Sequence, residues 1–242
     1  MRSAIRQIIT APPPLIPPYL RPFVAAFYDS AKLMGMNNAT IAKWFDSSGN
    51  GRHATMTGLA WTAGSTLGAN GFEVDGVDDV ATIADSPATR LTTGGTLTAW
   101  IYPKGIGETG GRIFDKSADL NMTNGYSLYL GSNNTVNFRI NVGTITASNA
   151  NAITYNKFQR AVVTFDATGR HLYVNGKDVT ASGGAETALP PDVAGVVAIG
   201  NRAGAADRTF DGYIDKPTII TRVLTPWEIF KDFQNTRRHY GV

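Results

Sequence analysis

Apolar residues in this chain fall in short runs that alternate with polar neighbours, and Gly, Asn, Asp, Ser and Pro separate the runs. A period of two with frequent turn residues predicts strands rather than helices. The runs place strands at Phe23–Tyr28, Ile41–Phe45, Gly71–Asp75, Val80–Ile83, Thr96–Tyr102, Arg112–Asp115, Tyr126–Leu130, Val136–Val142, Arg160–Phe165, His171–Asn175, Val196–Gly200 and Gly212–Thr221. Asn175-Gly176 is the strongest hairpin signal, because both central positions of a type I′ turn need positive φ. One helix is predicted, over about Thr225–Asn235: Thr225-Pro226-Trp227-Glu228 reads as a capping box with proline in the first turn. The pattern therefore predicts an all-β fold of two packed antiparallel sheets closed by one short C-terminal helix.

The N-terminal stretch breaks this pattern. Thr10 to Pro22 holds six prolines in thirteen positions, which fixes φ, removes ladder donors and predicts an extended arm. We divide the chain into an arm, residues 1–22, and a sandwich domain, residues 23–242. Leu15, Ile16, Tyr19, Leu20 and Phe23 make the arm apolar. Two placements are open for it: against its own domain, or docked on another subunit. The second is the expectation taken forward, because a stiff apolar segment suits a partner surface.

Composition agrees with the pattern. Charged residues are 17% of the chain, and 26 Gly and 27 Thr favour turns and strands over helices. There is no Cys, which excludes disulfides, thiolate metal sites and a cysteine nucleophile. The net charge of +3 comes from scattered cations apart from Arg237, Arg238 and His239, so nucleic acid is not an expected partner. No apolar run is long enough to span a membrane, and Pro12–Pro14 interrupt any leader-like stretch.

Several segments resemble laminin-G-like members of the concanavalin A-like jelly-roll superfamily. They are Trp44-Phe-Asp-Ser-Ser-Gly-Asn-Gly-Arg-His-Ala-Thr55, Phe72-Glu-Val-Asp-Gly-Val-Asp-Asp79, Leu97-Thr-Ala-Trp-Ile-Tyr-Pro103, Val163 through Gly176, Phe210-Asp-Gly-Tyr-Ile-Asp215 and Arg222 through Ile229. The resemblance implies a two-sheet jelly roll and a binding or adhesion role. Within such a fold Trp44, Trp100, Phe114, Tyr129, Phe165 and Tyr173 are expected to point inward.

Candidate chemistry is sparse. Glu73 and Asp75 share a strand face and, with Asp78, faintly resemble the acidic strand of jelly-roll glucanases, which need two carboxyls about 5–5.5 Å apart. Asp78 stands where those enzymes carry Glu, and the Asp75-Gly76 and Asp78-Asp79 pairs suit a turn, so no catalytic residue is expected. His53, His171 and His239 have no metal-ligand spacing. No cofactor is required. Calcium, which relatives often hold, has weak candidates in Asp46, Asn50, Asp78 and Asp79.

The expectation taken forward is a non-enzymatic structural module of a virion, a phage capsid decoration, fibre or tail protein. Its arm anchors it to other virion proteins or to its own copies on the particle exterior. The virion context follows from a chain without a leader and with a sticky arm. A carbohydrate-binding module or adhesin, extracellular and taking glycans, is the alternative, and a jelly-roll glycoside hydrolase is third.

Overall fold

The structure, a computed structural model, describes residues 16–30, 42–59, 67–68, 70–117, 123–202, 204–205 and 207–242. In chain order its strands are β1 (Val24–Phe27), β2 (Lys43–Trp44), β3 (Ala54–Thr57), β4 (Leu67–Gly68), β5 (Gly71–Asp75), β6 (Val80–Ile83), β7 (Gly95–Pro103), β8 (Arg112–Ser117) and β9 (Gly125–Gly131). They continue with β10 (Thr135–Ile140), β11 (Thr146–Ser148), β12 (Gln159–Asp166), β13 (Gly169–Val174), β14 (Lys177–Asp178), β15 (Thr180–Ser182), β16 (Val197–Ile199) and β17 (Asp211–Ile220). Among the described residues two α-helices accompany them, α1 (Pro87–Arg90) and α2 (Pro226–Thr236). The first sheet runs β14-β13-β12-β7-β17-β5-β4, with β1 also on β17; the second runs β15-β11-β10-β9-β8-β16-β6-β3-β2.

Side-chain alternation explains the core. Trp44, Phe72, Leu97, Phe114, Tyr126, Phe138, Phe165 and Ile214 point between the sheets and are fully or almost fully buried. Turns go where the sequence signals them: Asn175 (φ 52) and Gly176 (φ 78) turn β13 into β14. Gly125 (φ 113) opens β9 so close to β8 that a Cβ there would lie 1.6 Å from the Lys116 carbonyl oxygen.

β17 shows why a proline can sit in a central strand. It pairs with β7 along its length, and on its other side first with β5 and then with β1. The change of partner falls at a bulge between Asp215 and Thr218, where Lys216 takes φ 46 and Pro217 needs no ladder donor. That bulge turns Asp215 and Lys216 into a buried polar cluster with Ser30 and Tyr240.

A third layer covers the outer face of the first sheet. Leu20, Val24, Phe27, Val162, Tyr173, Ile220, Leu224 and Ile229 form a second apolar cluster there, with Ile16 against it. Trp100 also faces this side, stacked on Tyr240 at 4.1 Å between ring centroids and beside Phe233 at 5.9 Å. The inward placement expected for Trp100 and Tyr173 is therefore corrected. Their strands are buried on both faces, and alternation does not say which burial is which. Tyr129 likewise faces outward from the second sheet, half-buried under the Arg112 guanidinium at 4.4 Å.

The same layer corrects the placement of the arm. Leu20 is only 7% exposed, and Ile16 and Leu20 help to line a narrow cavity of about 30 Å³ against Val24, Ile220 and Leu224 of their own domain. Packing on the parent sheet wins for these two, because that face already offers an apolar cluster next to β1. Tyr19 (54%) and Phe23 (40%) stay exposed. Leu15 and the preceding residues lie outside the described residues.

α2 starts as its sequence dictates. The Thr225 hydroxyl accepts from the Glu228 amide (3.3 Å), and the Glu228 carboxylate accepts from the Thr225 amide (2.9 Å). Arg222 also donates to Glu228 (2.6 Å), which, against the opposing effect of burial, lowers the Glu228 carboxyl from 4.5 to about 2. The folded value lies below the unfolded one. The stabilisation is therefore present above pH 4.5 and is lost as the pH falls towards about 2. Thermal unfolding of the native chain and of Glu228→Gln across that range should converge on acidification; parallel curves would refute the assignment.

Candidate functional site

The sequence-predicted residues go to separate places. Glu73 lies on the outer face of β5, where Lys104 Nζ reaches its Oε1 at 2.9 Å, beside the rings of Tyr213 and Tyr102. Asp75 ends the strand, and its Oδ1 accepts from the Val77 amide at 2.9 Å. Asp46 accepts from the amides of Phe27 (3.2 Å), Ser48 (2.8 Å) and Arg52 (3.0 Å), which organises its own turn. Asn50 donates its amide to the carbonyls of Val24 (2.8 Å) and Ala25 (3.2 Å), again holding the turn.

Asp78 and Asp79 instead join Asp75, with candidate ligand oxygens all within 4.8 Å of one another. All three offer oxygen, the donor type a hard cation requires. Part of that capacity is used, since Asp79 Oδ2 accepts from the Asp75 amide at 2.8 Å. Calcium takes about six to eight oxygens, so three carboxylates fit part of its shell. An open cleft of about 360 Å³ lies alongside, lined by Asp78, Thr57, Asn201 and Arg202 and, among the described residues, by no aromatic ring.

A second cleft of about 360 Å³ lies on the outer face of the first sheet, between the β12–β13 hairpin and the start of α2. Hairpin register builds it. Thr164 stands opposite His171, Val162 opposite Tyr173 and Tyr173 opposite Asp178, so Thr164, Asp166, His171, Tyr173 and Asp178 share one face. Val223, Leu224, Thr225 and Pro226 close the other side.

Its polar groups are oriented by local bonds. Asp166 Oδ1 accepts from the Thr168 amide (2.7 Å) and hydroxyl (2.5 Å), and these bonds lower its carboxyl below the usual range. His171 Nδ1 and Asp178 Oδ2 are 2.9 Å apart, and Asp178 Oδ1 accepts from the Thr180 amide at 2.9 Å. Burial raises the Asp178 carboxyl, but its bonds to Thr180 and His171 outweigh burial and bring it below its usual value. Beyond the cleft, Trp227 (62% exposed) stacks on Phe230 (39%) with centroids 5.8 Å apart. Gly176 lets α2 rest there, since a Cβ would come within 3.2 Å of the Phe230 Cα.

Sequence reasoning weighed His171 only as an isolated histidine and passed over Asp166 and Asp178. The usable signal was the pair of hairpins at Asp166–Gly169 and Asn175-Gly176, whose register sets these residues side by side. The capping box announces that α2 begins at Thr225 and Pro226, but no local pattern places Val223–Pro226 against the hairpin.

Comparison with known proteins bears on both fold and site. Residues 75–230 match the sequence model of a laminin G family described as the concanavalin A-like lectin/glucanases superfamily. A search of curated proteins found no match. Among solved structures, the chain is similar to the Trypanosoma rangeli sialidase in complex with sialic acid, with TM-score 0.67, 14% identity, and coverage of 90% of this chain and 34% of that one. It is similar to the receptor-binding domain of botulinum neurotoxin mosaic serotype C/D, with TM-score 0.63, 12% identity, and coverage of 89% and 51%. The binding domain of botulinum neurotoxin DC in complex with SialylT aligns with TM-score 0.57, 13% identity, and coverage of 89% and 52%. The chain thus spans about a third of the sialidase and half of the toxin domains.

These findings correct the virion expectation. The solved structures named above are a sialidase and toxin receptor-binding domains, and none of them is a particle component. With two sheets in jelly-roll form and a family match running from Asp75 to Phe230, this chain belongs to the concanavalin A-like lectin/glucanase superfamily.

Proposed function

We propose that the protein is a non-catalytic carbohydrate-binding module and that its glycan occupies the cleft between the β12–β13 hairpin and α2. The observation that carries this reading is the lining. Hydroxyls, an imidazole and two carboxylates (Thr164, Thr225, His171, Asp166 and Asp178) converge beside the apolar surface of Tyr173, Leu224 and Pro226. Sugars present both hydroxyls and C–H faces, and a pocket of about 300–1,000 Å³ suits a small ligand. The volume fits within that range, and the cleft pairs these polar groups with the Tyr173 ring, which the described lining of the rim cleft does not match.

The usual two-carboxylate glycosidase needs one carboxylic acid with a raised pKa, whereas local hydrogen bonds lower the carboxyls of both Asp166 and Asp178. The complexes of similar structures with sialic acid and with SialylT support glycans as the ligand class and say nothing of which sugars this cleft takes.

A glycan array with the full chain tests the proposal. Asp178→Asn is expected to weaken the captured glycan roughly 10- to 100-fold, since a hydrogen bond to a charged group contributes about 1.5–3 kcal/mol. Thr57→Val, at the rim cleft, should leave capture unchanged. The reverse pattern would move the site to the rim, and no capture at all would end the carbohydrate reading.

A further inference from the structure

We infer that the cleft between the β12–β13 hairpin and α2 is selective for uncharged glycans and rejects their sialylated, sulfated or uronic-acid counterparts. This rests on the carbohydrate-binding reading and specifies its substrate class. Two carboxylates line the cleft, and no Lys or Arg does so among the described residues. Asp166 and Asp178 bracket His171, whose Nδ1 is bonded to Asp178. An entering anion therefore meets two carboxylates and no Lys or Arg side chain among the described lining residues.

Two cations on the α2 side are already engaged. Arg222, next to the lining residue Val223, holds both Glu228 oxygens (Nη2–Oε1 2.6 Å and Nη1–Oε2 3.0 Å). Lys231 sits on the Trp227 ring at 4.6 Å, out on the helix. The N-terminus of α2, the one feature that would attract an anion, is capped by the carboxylate of Glu228, which accepts from the Thr225 amide. Arg170 is fully buried on the opposite face of β13, where it donates to the carbonyls of Thr144 and Ala188. Like charges brought together across an interface discriminate strongly against the wrong ligand. Neutral sugars lose nothing here, because ionised carboxylates are strong acceptors for sugar hydroxyls.

The test compares neutral oligosaccharides with the same oligosaccharides carrying a terminal sialic acid or a sulfate. The full chain is used at pH 8, in low and in 300 mM salt. Each acidic member is expected to bind at least tenfold more weakly than its neutral parent. The gap should narrow in high salt and in both Asp166→Asn and Asp178→Asn. Equal or tighter binding of the acidic members overturns the inference while leaving the carbohydrate reading intact. A gap unchanged in both variants, with native unfolding midpoints, also overturns it. Capture of no glycan of either kind overturns the carbohydrate reading and this inference with it.

Discussion

Replacing Asp215 with Ala is expected to destabilise the protein by about 3–5 kcal/mol, the usual result of stripping one partner from a buried charge cluster. Asp215 is 2% exposed. Its Oδ1 accepts from the Ser30 hydroxyl (2.8 Å), and its Oδ2 accepts from the Tyr240 hydroxyl (2.5 Å) and from Lys216 Nζ (3.3 Å). Lys216 Nζ also donates to the Tyr240 hydroxyl at 2.9 Å, and Asp29 stands 4.0 Å away. Burial first, and then the Asp215 carboxylate, push the Tyr240 phenol well above its usual range, so it remains a donor.

Without the carboxylate, the Lys216 ammonium stays buried with Asp29 at 4.0 Å and the neutral Tyr240 hydroxyl, on a bulge that already holds a bulky residue at φ 46. Tyr240→Phe removes one hydroxyl and should cost only about 0.5–1.5 kcal/mol. Urea unfolding of the two variants separates these values. A loss below 1 kcal/mol for Asp215→Ala would show that the cluster is not what fixes the bulge.

Trp100→Ala is expected to cost about 3–5 kcal/mol, the range for deleting a large buried aromatic side chain. The loss should be felt first in the C-terminal layer. The ring carries Tyr240 and Phe233 on its outer side, its Nε1 donates to the Thr236 hydroxyl at 3.1 Å, and the Arg160 guanidinium lies 6.0 Å from it. Arg160 in turn ties to Asp232 of α2 at 2.8 Å. Hydrogen exchange should show residues 226–240 opening at lower free energy than β7 and β12. Because Thr225 and Pro226 form one wall of the cleft, glycan capture should weaken in parallel. Loss of stability spread evenly over both sheets would mean that Trp100 belongs to the main core, as its alternation with polar neighbours suggests.

How far the sequence could be read depends on the range of the interaction. β5 and β6 coincide with their predicted bounds, and the capping box of Thr225 and Glu228 starts α2 where it was placed. In these cases a local cause, alternation or a reciprocal side-chain bond, is sufficient. β3, β11 and β15 were missed. They are short and of the Ala-Thr-Met-Thr or Thr-Ala-Ser type, with little apolar contrast, and take strand form only because a neighbour offers a ladder.

The candidate site lay further from reach. Asp166, His171 and Asp178 come from two successive hairpins, and Asn175-Gly176 announces one of them. Local chemistry therefore specified that those strands pair, and pairing specified a shared face. Which face became a cleft was decided elsewhere, by α2 settling over Trp100 and Gly176 and by Ile16 and Leu20 filling the apolar surface beside β1. By itself the sequence determined an all-β sandwich, its turns and its closing helix, because alternation, turn residues and caps act within a few positions of the chain. Only the tertiary structure decided that the first sheet is buried on both sides, that Trp100 and Tyr173 face outward and that a cleft opens beside α2. Burial of a strand's second face depends on elements distant in sequence, and a period of two reads the same whichever side is the core.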